Sequence, residues 1–169
     1  MEVYHAIHQR RTIKNFTDEP VSKETLKRIF ETGIWAQNHK LTQPWRFKVL
    51  GPQIREKLAL SNELARQKIM SPPVLVAVSY VLASDLNTRR EDYAATACAI
   101  QNMALAAWND GIGMIWSTGK HTRDPQTAPV LGIDPVHEEI VGFLAFGFPA
   151  ETPAAVPRKP VSDVLEFLS

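Results

Sequence analysis

The sequence is poor in cysteine, in uninterrupted apolar length and in net charge, and each shortage removes a class of protein from consideration. Cys98 is the only cysteine, so no internal disulfide can form. Its apolar, helix-like surroundings predict a buried thiol in a reducing compartment, and the cytoplasm is the expected location. The longest uncharged stretches, 69–84 and 93–109, are interrupted by Pro72-Pro73 and by Thr96, Gln101 and Asn102. Neither has the purity of a membrane span. The opening Met1-Glu2-Val3-Tyr4-His5 lacks the basic-then-apolar pattern of an export signal, so no membrane partner is expected. Nineteen basic residues against eighteen acidic ones leave a charge of +1, too little for a broad nucleic-acid footprint. Any anion site must be local. No histidine, cysteine or carboxylate set stands at zinc-like spacing, and no metal is expected.

What is present is ordinary for a soluble globular chain: 169 residues, 44% hydrophobic and 22% charged, enough for a single domain over 1–169 around one core. A short helix is expected over 3–9. A second follows Ser22 as N-cap, with Leu26, Ile29, Phe30, Gly33 and Ile34 at amphipathic spacing, ending near 35–38. Trp45, Phe47 and Val49 alternate with Arg46 and Lys48 as in a half-buried strand. Residues 53–70 read as one surface helix stopped by Ser71-Pro72-Pro73. Residues 74–82 read as a central strand. Residues 91–110 form a helix rich in apolar residues on every face, which demands burial in the core or against a second subunit. Strands are expected at 112–117 and 140–146, with a short helix at 125–131 between them. Four prolines then mark an extended arm with a last apolar element at 161–168. Strands separated by long helices give an α+β or α/β sandwich with a central sheet flanked by helices.

Four short constellations could carry chemistry. In Arg10-Arg11-Thr12-Ile13-Lys14, an extended backbone would turn residues 10, 12 and 14 to one side. A guanidinium, a hydroxyl and an ammonium there suit an organic phosphate with a polar ring, although a solvated basic patch has the same composition. The loop Asn38-His39-Lys40-Leu41-Thr42-Gln43-Pro44-Trp45 joins a helix to a strand. The segment Gly111-Ile112-Gly113-Met114-Ile115-Trp116-Ser117-Thr118-Gly119 is glycine-rich, but its glycines follow a helix and precede a strand, the reverse of the dinucleotide fingerprint. Pro157-Arg158-Lys159-Pro160 lies in the arm.

Their order and spacing together resemble the nitroreductase family of FMN-dependent enzymes across essentially the whole chain, closest to its small single-domain members. The family's Arg-x-Ser/Thr-x-Lys/Arg segment, which holds the FMN phosphate and ring, is matched by Arg10, Thr12 and Lys14, and paired arginines at Arg11 fit the short members. The His-Lys-x-x-Gln-Pro-Trp loop is matched by His39, Lys40, Gln43, Pro44 and Trp45. Gly-Ile-Trp-x-Ser/Thr-Gly is similar to the segment holding Trp116, Ser117 and Thr118. The phosphate-binding arginine of the family's C-terminal arm corresponds to Arg158. Two positions depart from the pattern: Gln37 replaces a proline common before the loop, and Trp35 stands where short members can place an arginine that contacts the flavin.

The resemblance implies a nitroreductase-like homodimer with an exchanged C-terminal arm and FMN at the subunit interface, where His39 would reach the flavin bound mainly by the other subunit. It implies that Trp116, Ser117 and Thr118 approach the ring, and that Lys14 faces the charge that reduction places near N1 and O2. The activity implied is ping-pong transfer of electrons from NADH or NADPH to small acceptors such as nitroaromatics and quinones. The flavin supplies the redox chemistry, so no protein nucleophile is required. Two alternatives stand beside it: a flavin-binding sensor or storage module without turnover, and a specialised relative of the flavin-destroying or dehalogenating kind.

Overall fold

The period-two alternation after Pro44 forms β1 (Trp45–Val49), and the β-branched run after Pro73 forms β2 (Val74–Val81). With β3 (Gly113–Ser117) and β4 (Glu138–Gly147) they make a four-stranded sheet in the order β1-β2-β4-β3, every neighbouring pair antiparallel. This is a computed structural model, and it describes residues 2–168. The inner strands β2 and β4 are buried on both faces, which explains why they read as continuous apolar runs although the sheet is antiparallel.

The helices are α1 (Val3–Gln9), α2 (Lys23–Gly33), α3 (Pro52–Ser61), α4 (Arg66–Met70), α5 (Leu86–Asn109) and α6 (Thr127–Leu131). Strand alternation sorts them into two layers. Val76, Val78, Leu144 and Phe146 face Leu26 and Ile29 of α2 and Ile100 and Met103 of α5. Leu75, Ala77, Phe143 and Ala145 face Leu58 of α3, Ile69 of α4 and Leu131 of α6. The sheet flanked by helices is thus as expected. Truncating Phe143 or Phe146, both fully buried, would cost about 3–5 kcal/mol, several times the worth of a surface ion pair such as Arg28–Asp110.

Several elements differ from expectation. The single helix expected over 53–70 breaks at Asn62, whose φ of −144° and ψ of 77° leave the helical region. A straight 18-residue helix would run roughly 27 Å past the sheet; the break instead returns Ile69 to the core that Leu58 enters. The Arg55 guanidinium fastens the return by donating to the carbonyls of Ile69, Met70 and Pro72 at 2.7–2.8 Å. Helix α5 begins at Leu86 rather than 91, because the Asp85 carboxylate caps it by accepting from the Thr88 amide at 2.8 Å. One face of α5 is buried within the chain, while Tyr93, Ala94 and Gln101 are exposed and Cys98 is half-buried rather than buried. In the arm, the expected apolar element at 161–168 is only the three-residue turn Val161–Asp163, and its large apolar side chains are exposed. Among the described residues no helix is long and apolar enough to cross a membrane.

Candidate functional site

The basic segment leaves α1 at Arg10 and runs extended beside β3. Thr12 pairs with Met114 in an isolated parallel bridge, and the Ile13 amide donates to the Met114 carbonyl at 3.1 Å. Ile13 is wholly buried, pressed so tightly on Gly113 that a Cβ there would lie 2.4 Å from it. Thr12 and Lys14 are exposed on either side of it. The buried neighbour therefore fixes the outward row of 10, 12 and 14 that alternation anticipates. Arg11 turns back instead, donating to the carbonyls of His8 and Arg10 at 2.7 and 2.9 Å, where it caps the end of α1. Arg158, exposed in the arm, donates to the Val156 carbonyl. Burial, then the charges of Arg11 and Arg158, push the Arg10 guanidinium below its ordinary pKa. Among the described residues no carboxylate lies within ion-pair distance of these three arginines.

Four residues after Arg10, Lys14 enters a cavity of about 310 Å³ on the α4 side of the sheet. The size is at the low end for small-molecule sites. Its apolar walls include Phe16, Leu75, Ile115 and Phe143, and its polar rim carries Lys14, Gln67, Lys68, Ser117 and His121. Among the described residues no carboxylate lines it. Alternation along β3 gives the cavity Ile115 and Ser117 but sends Trp116 to the opposite face. There the indole packs over Gly142, where a Cβ would come within 2.6 Å of Nε1, and Nε1 donates to the Val141 carbonyl at 3.4 Å. Gly142 has a φ of 153° at the bulge between β2 and β4, so a side chain is excluded there by backbone and indole together. Thr118 is exposed beyond the strand and is not a wall of the cavity.

The loop after α2 makes a second site. Its backbone is strained: Lys40, Leu41 and Gln43 have φ of 52°, 54° and 45°, unusual for residues with a Cβ. Side chains hold it in place. Asn38 donates to the Ala36 carbonyl and accepts from the Gln43 amide, both at 3.0 Å, while Thr42 donates to the carboxylate of Asp92 on α5 at 2.6 Å. Asp92 is only 3% exposed. His39 and Asn38 line a cavity of about 380 Å³ together with Gln37, Glu91 and Cys98. Trp35, 84% exposed at the end of α2, stands nearby in sequence.

Of the candidate residues, the structure brings Arg10, Arg11 and Arg158 together, and joins Lys14 to Ser117. It places His39 in a different cavity from Lys14, with Gln43 and Trp35 exposed. Sequence reasoning missed Gln67, Lys68 and His121. The first two lay within what read as a uniform surface helix, and only its break turns them to the cavity. His121 had a readable signal in its spacing of four from Ser117, just past the strand.

The Nitroreductase family model matches residues 7–63 and 59–148. A Bacillus subtilis (strain 168) protein provisionally named NAD(P)H nitroreductase is 29% identical over 174 residues, covering 93% of this chain and 89% of the relative. The crystal structure of a nitroreductase-like family protein from Bacillus cereus is 28% identical with a TM-score of 0.89, covering 99% of this chain and 96% of that one. A protein of Desulfovibrio desulfuricans provisionally named a nitroreductase, solved in complex with FMN, is 30% identical with a TM-score of 0.85, covering 100% of this chain and 98% of its own.

Proposed function

The chain belongs to the nitroreductase family and is an oxidoreductase, and we propose that it carries electrons from NADH or NADPH through FMN to small electron-poor acceptors such as nitroaromatics and quinones. The observation that supports this most is that segment 10–14 runs from an arginine cluster, joined by Arg158 of the arm and without an ion-paired carboxylate among the described residues, to a cavity whose described lining holds no carboxylate. Three cations gathered without a counter-charge suit a phosphate. The cavity four residues on has apolar walls for an aromatic ring and polar groups at its rim, and the residues present therefore fit FMN. Arg10, Thr12 and Arg158 would hold the phosphate, and Lys14, Ser117 and the backbone around Trp116 and Thr118 the ring. When bound, FMN supplies the two-electron redox step, in two half-reactions shared between nicotinamide and acceptor.

The protein's own part is binding, orientation and electrostatics. Leu75, Ile115 and Phe143 exclude water from one side, and Lys14 sets a fixed positive charge at the cavity rim. The strained loop presents His39 and Gln43 away from this cavity, as a second half-site. In a homodimer that loop, with Trp35, would complete the partner's site, and the proline-rich arm would dock across the interface. The exposed large apolar residues of α1 and of the arm, among them Tyr4, Ile7, Leu165 and Phe167, support that assembly.

The purified protein is expected to be yellow and to release about one FMN per chain on denaturation. Anaerobic addition of NADH or NADPH should bleach it, and a nitroaromatic or quinone should restore the colour. FAD, or no flavin after reconstitution, overturns the cofactor; bound FMN that neither nicotinamide bleaches favours a binding module without turnover.

A further inference from the structure

The end of β3 and the turn Lys120–Thr122 bring two polar side chains together in the cavity: Nε2 of His121 lies 3.1 Å from Oγ of Ser117. His121 is 8% exposed, and its ring is held on its other sides as well. Its centroid lies 5.7 Å from that of the Phe143 ring. It presses on Gly119 so closely that a Cβ there would lie 3.0 Å from Cε1 and Nδ1. Its own carbonyl accepts from the buried Thr127 hydroxyl of α6 at 2.8 Å. A ring fixed by a hydroxyl, an aromatic face, a glycine and a pinned backbone has little freedom to turn.

The charged groups lining the cavity around it are Lys14 from the N-terminal segment and Lys68 from α4, both cationic. Burial, and secondly Lys68, push the imidazole below its ordinary pKa, so it is neutral at neutral pH and brings no charge to the cavity. Its contribution is directional. A serine hydroxyl has one donor and two acceptor positions and rotates to suit its surroundings. Once Nε2 takes one of these, the directions of the others are set, on a side chain that lines the cavity.

We propose that His121 is a positioning residue that, through Nε2, orients the Ser117 hydroxyl so that it makes one directed hydrogen bond to the group held in the cavity. This rests on FMN being that group. The test is a double-mutant cycle of His121→Leu, Ser117→Ala and the pair, in FMN-reconstituted protein, reading the FMN dissociation constant by fluorescence and the flavin midpoint potential at matched loading. His121→Leu is expected to weaken FMN by about three- to tenfold, the range of one hydrogen bond, and to move the potential in the same direction as Ser117→Ala. In the Ser117→Ala background it should add less than about twofold. His121→Gln, which can reach the hydroxyl with its amide, should recover most of the loss. Equal losses in both backgrounds, or an unmoved potential, reduce His121 to packing and overturn the proposal. Should His121→Leu fail to fold, His121→Asn, polar but too short to reach Oγ from the same backbone, takes its place with the same expectations. A parent protein that retains no FMN after reconstitution overturns the occupant itself, a failure visible before any substitution is made.

Discussion

At Arg10 burial and the charges of Arg11 and Arg158 disfavour the guanidinium, and among the described residues no carboxylate pairs with it, an arrangement that a bound anion would relieve. Arg10→Ala or Arg158→Ala should therefore weaken FMN retention by roughly ten- to a hundredfold, the loss of a charge-assisted hydrogen bond worth about 1.5–3 kcal/mol. The melting temperature measured without FMN should not fall. Unchanged FMN dissociation constants in both variants would remove the phosphate role. The role proposed for Lys14 is different, because a charge at the cavity rim would favour a ring that gains negative charge on reduction. Lys14→Met keeps most of the stem volume and should lower the midpoint potential; a differential interaction of about 1.4 kcal/mol moves a two-electron couple by roughly 30 mV. An anaerobic redox titration showing an equal or higher potential contradicts that role. The row of Arg10, Thr12 and Lys14 was legible because extended backbone has a period of two, and the buried Ile13 obeys it. The same period, applied along β3, separates Trp116 from Ser117, a consequence that the motif taken as a block conceals. Gln67 and Lys68 were not legible as cavity residues, because what they face depends on a helix break rather than on local composition.

Among the elements, the loop between α2 and β1 carries the greatest conflict between local preference and observed geometry. Three residues with side chains adopt left-handed backbone there, each at a cost of order 1 kcal/mol. The Thr42–Asp92 bond is one of the contacts that offset it. Thr42→Val keeps the shape but leaves a buried carboxylate short of its donor, so chemical denaturation should show a loss of about 1–3 kcal/mol, whereas Thr42→Ser should lose much less. Lys40→Gly relieves one strained position whose side chain is exposed, and should leave stability equal or raised by up to about 1 kcal/mol. If Lys40→Gly destabilises as much as Thr42→Val, the loop is not strained in the way its dihedrals state. The elements themselves were largely readable, since Ser22, the β1 alternation and the β2 run each have a local cause. The break at Asn62 and the early start of α5 were not. The first serves to return Ile69 to a distant core, and the second depends on a cap, Asp85, that precedes the apolar pattern by several residues.

For the molecule as a whole, pH and assembly make separable demands. His121, lowered from 6.5, contributes stability that is present above that value and is lost as pH falls through its folded pKa. Tyr80 is raised from 10.0 to about 12 by burial and by its bond to Glu139, so its contribution is present below pH 10 and is lost as pH rises toward 12. His121→Gln should flatten the acid limb of a stability profile and leave the alkaline limb in place. Assembly concerns the residues that the chain alone leaves in contact with solvent. Val161, Val164, Leu165, Phe167 and Leu168 crowd the last segment, a density that monomeric proteins seldom expose. The same arm carries Arg158, so one element would link the dimer to the phosphate. Truncation after residue 152 should shift sedimentation from dimer toward monomer and also lose FMN, whereas Arg158→Ala should lose FMN affinity and remain dimeric. A third variant, Leu165→Asp with Phe167→Asp, keeps Arg158 but places charge on the apolar face, and should weaken the dimer and, through it, the FMN site. A full-length protein that sediments as an FMN-loaded monomer, or an arm-truncated one that remains a tight dimer, would show that the arm's apolar residues are not held by a second copy.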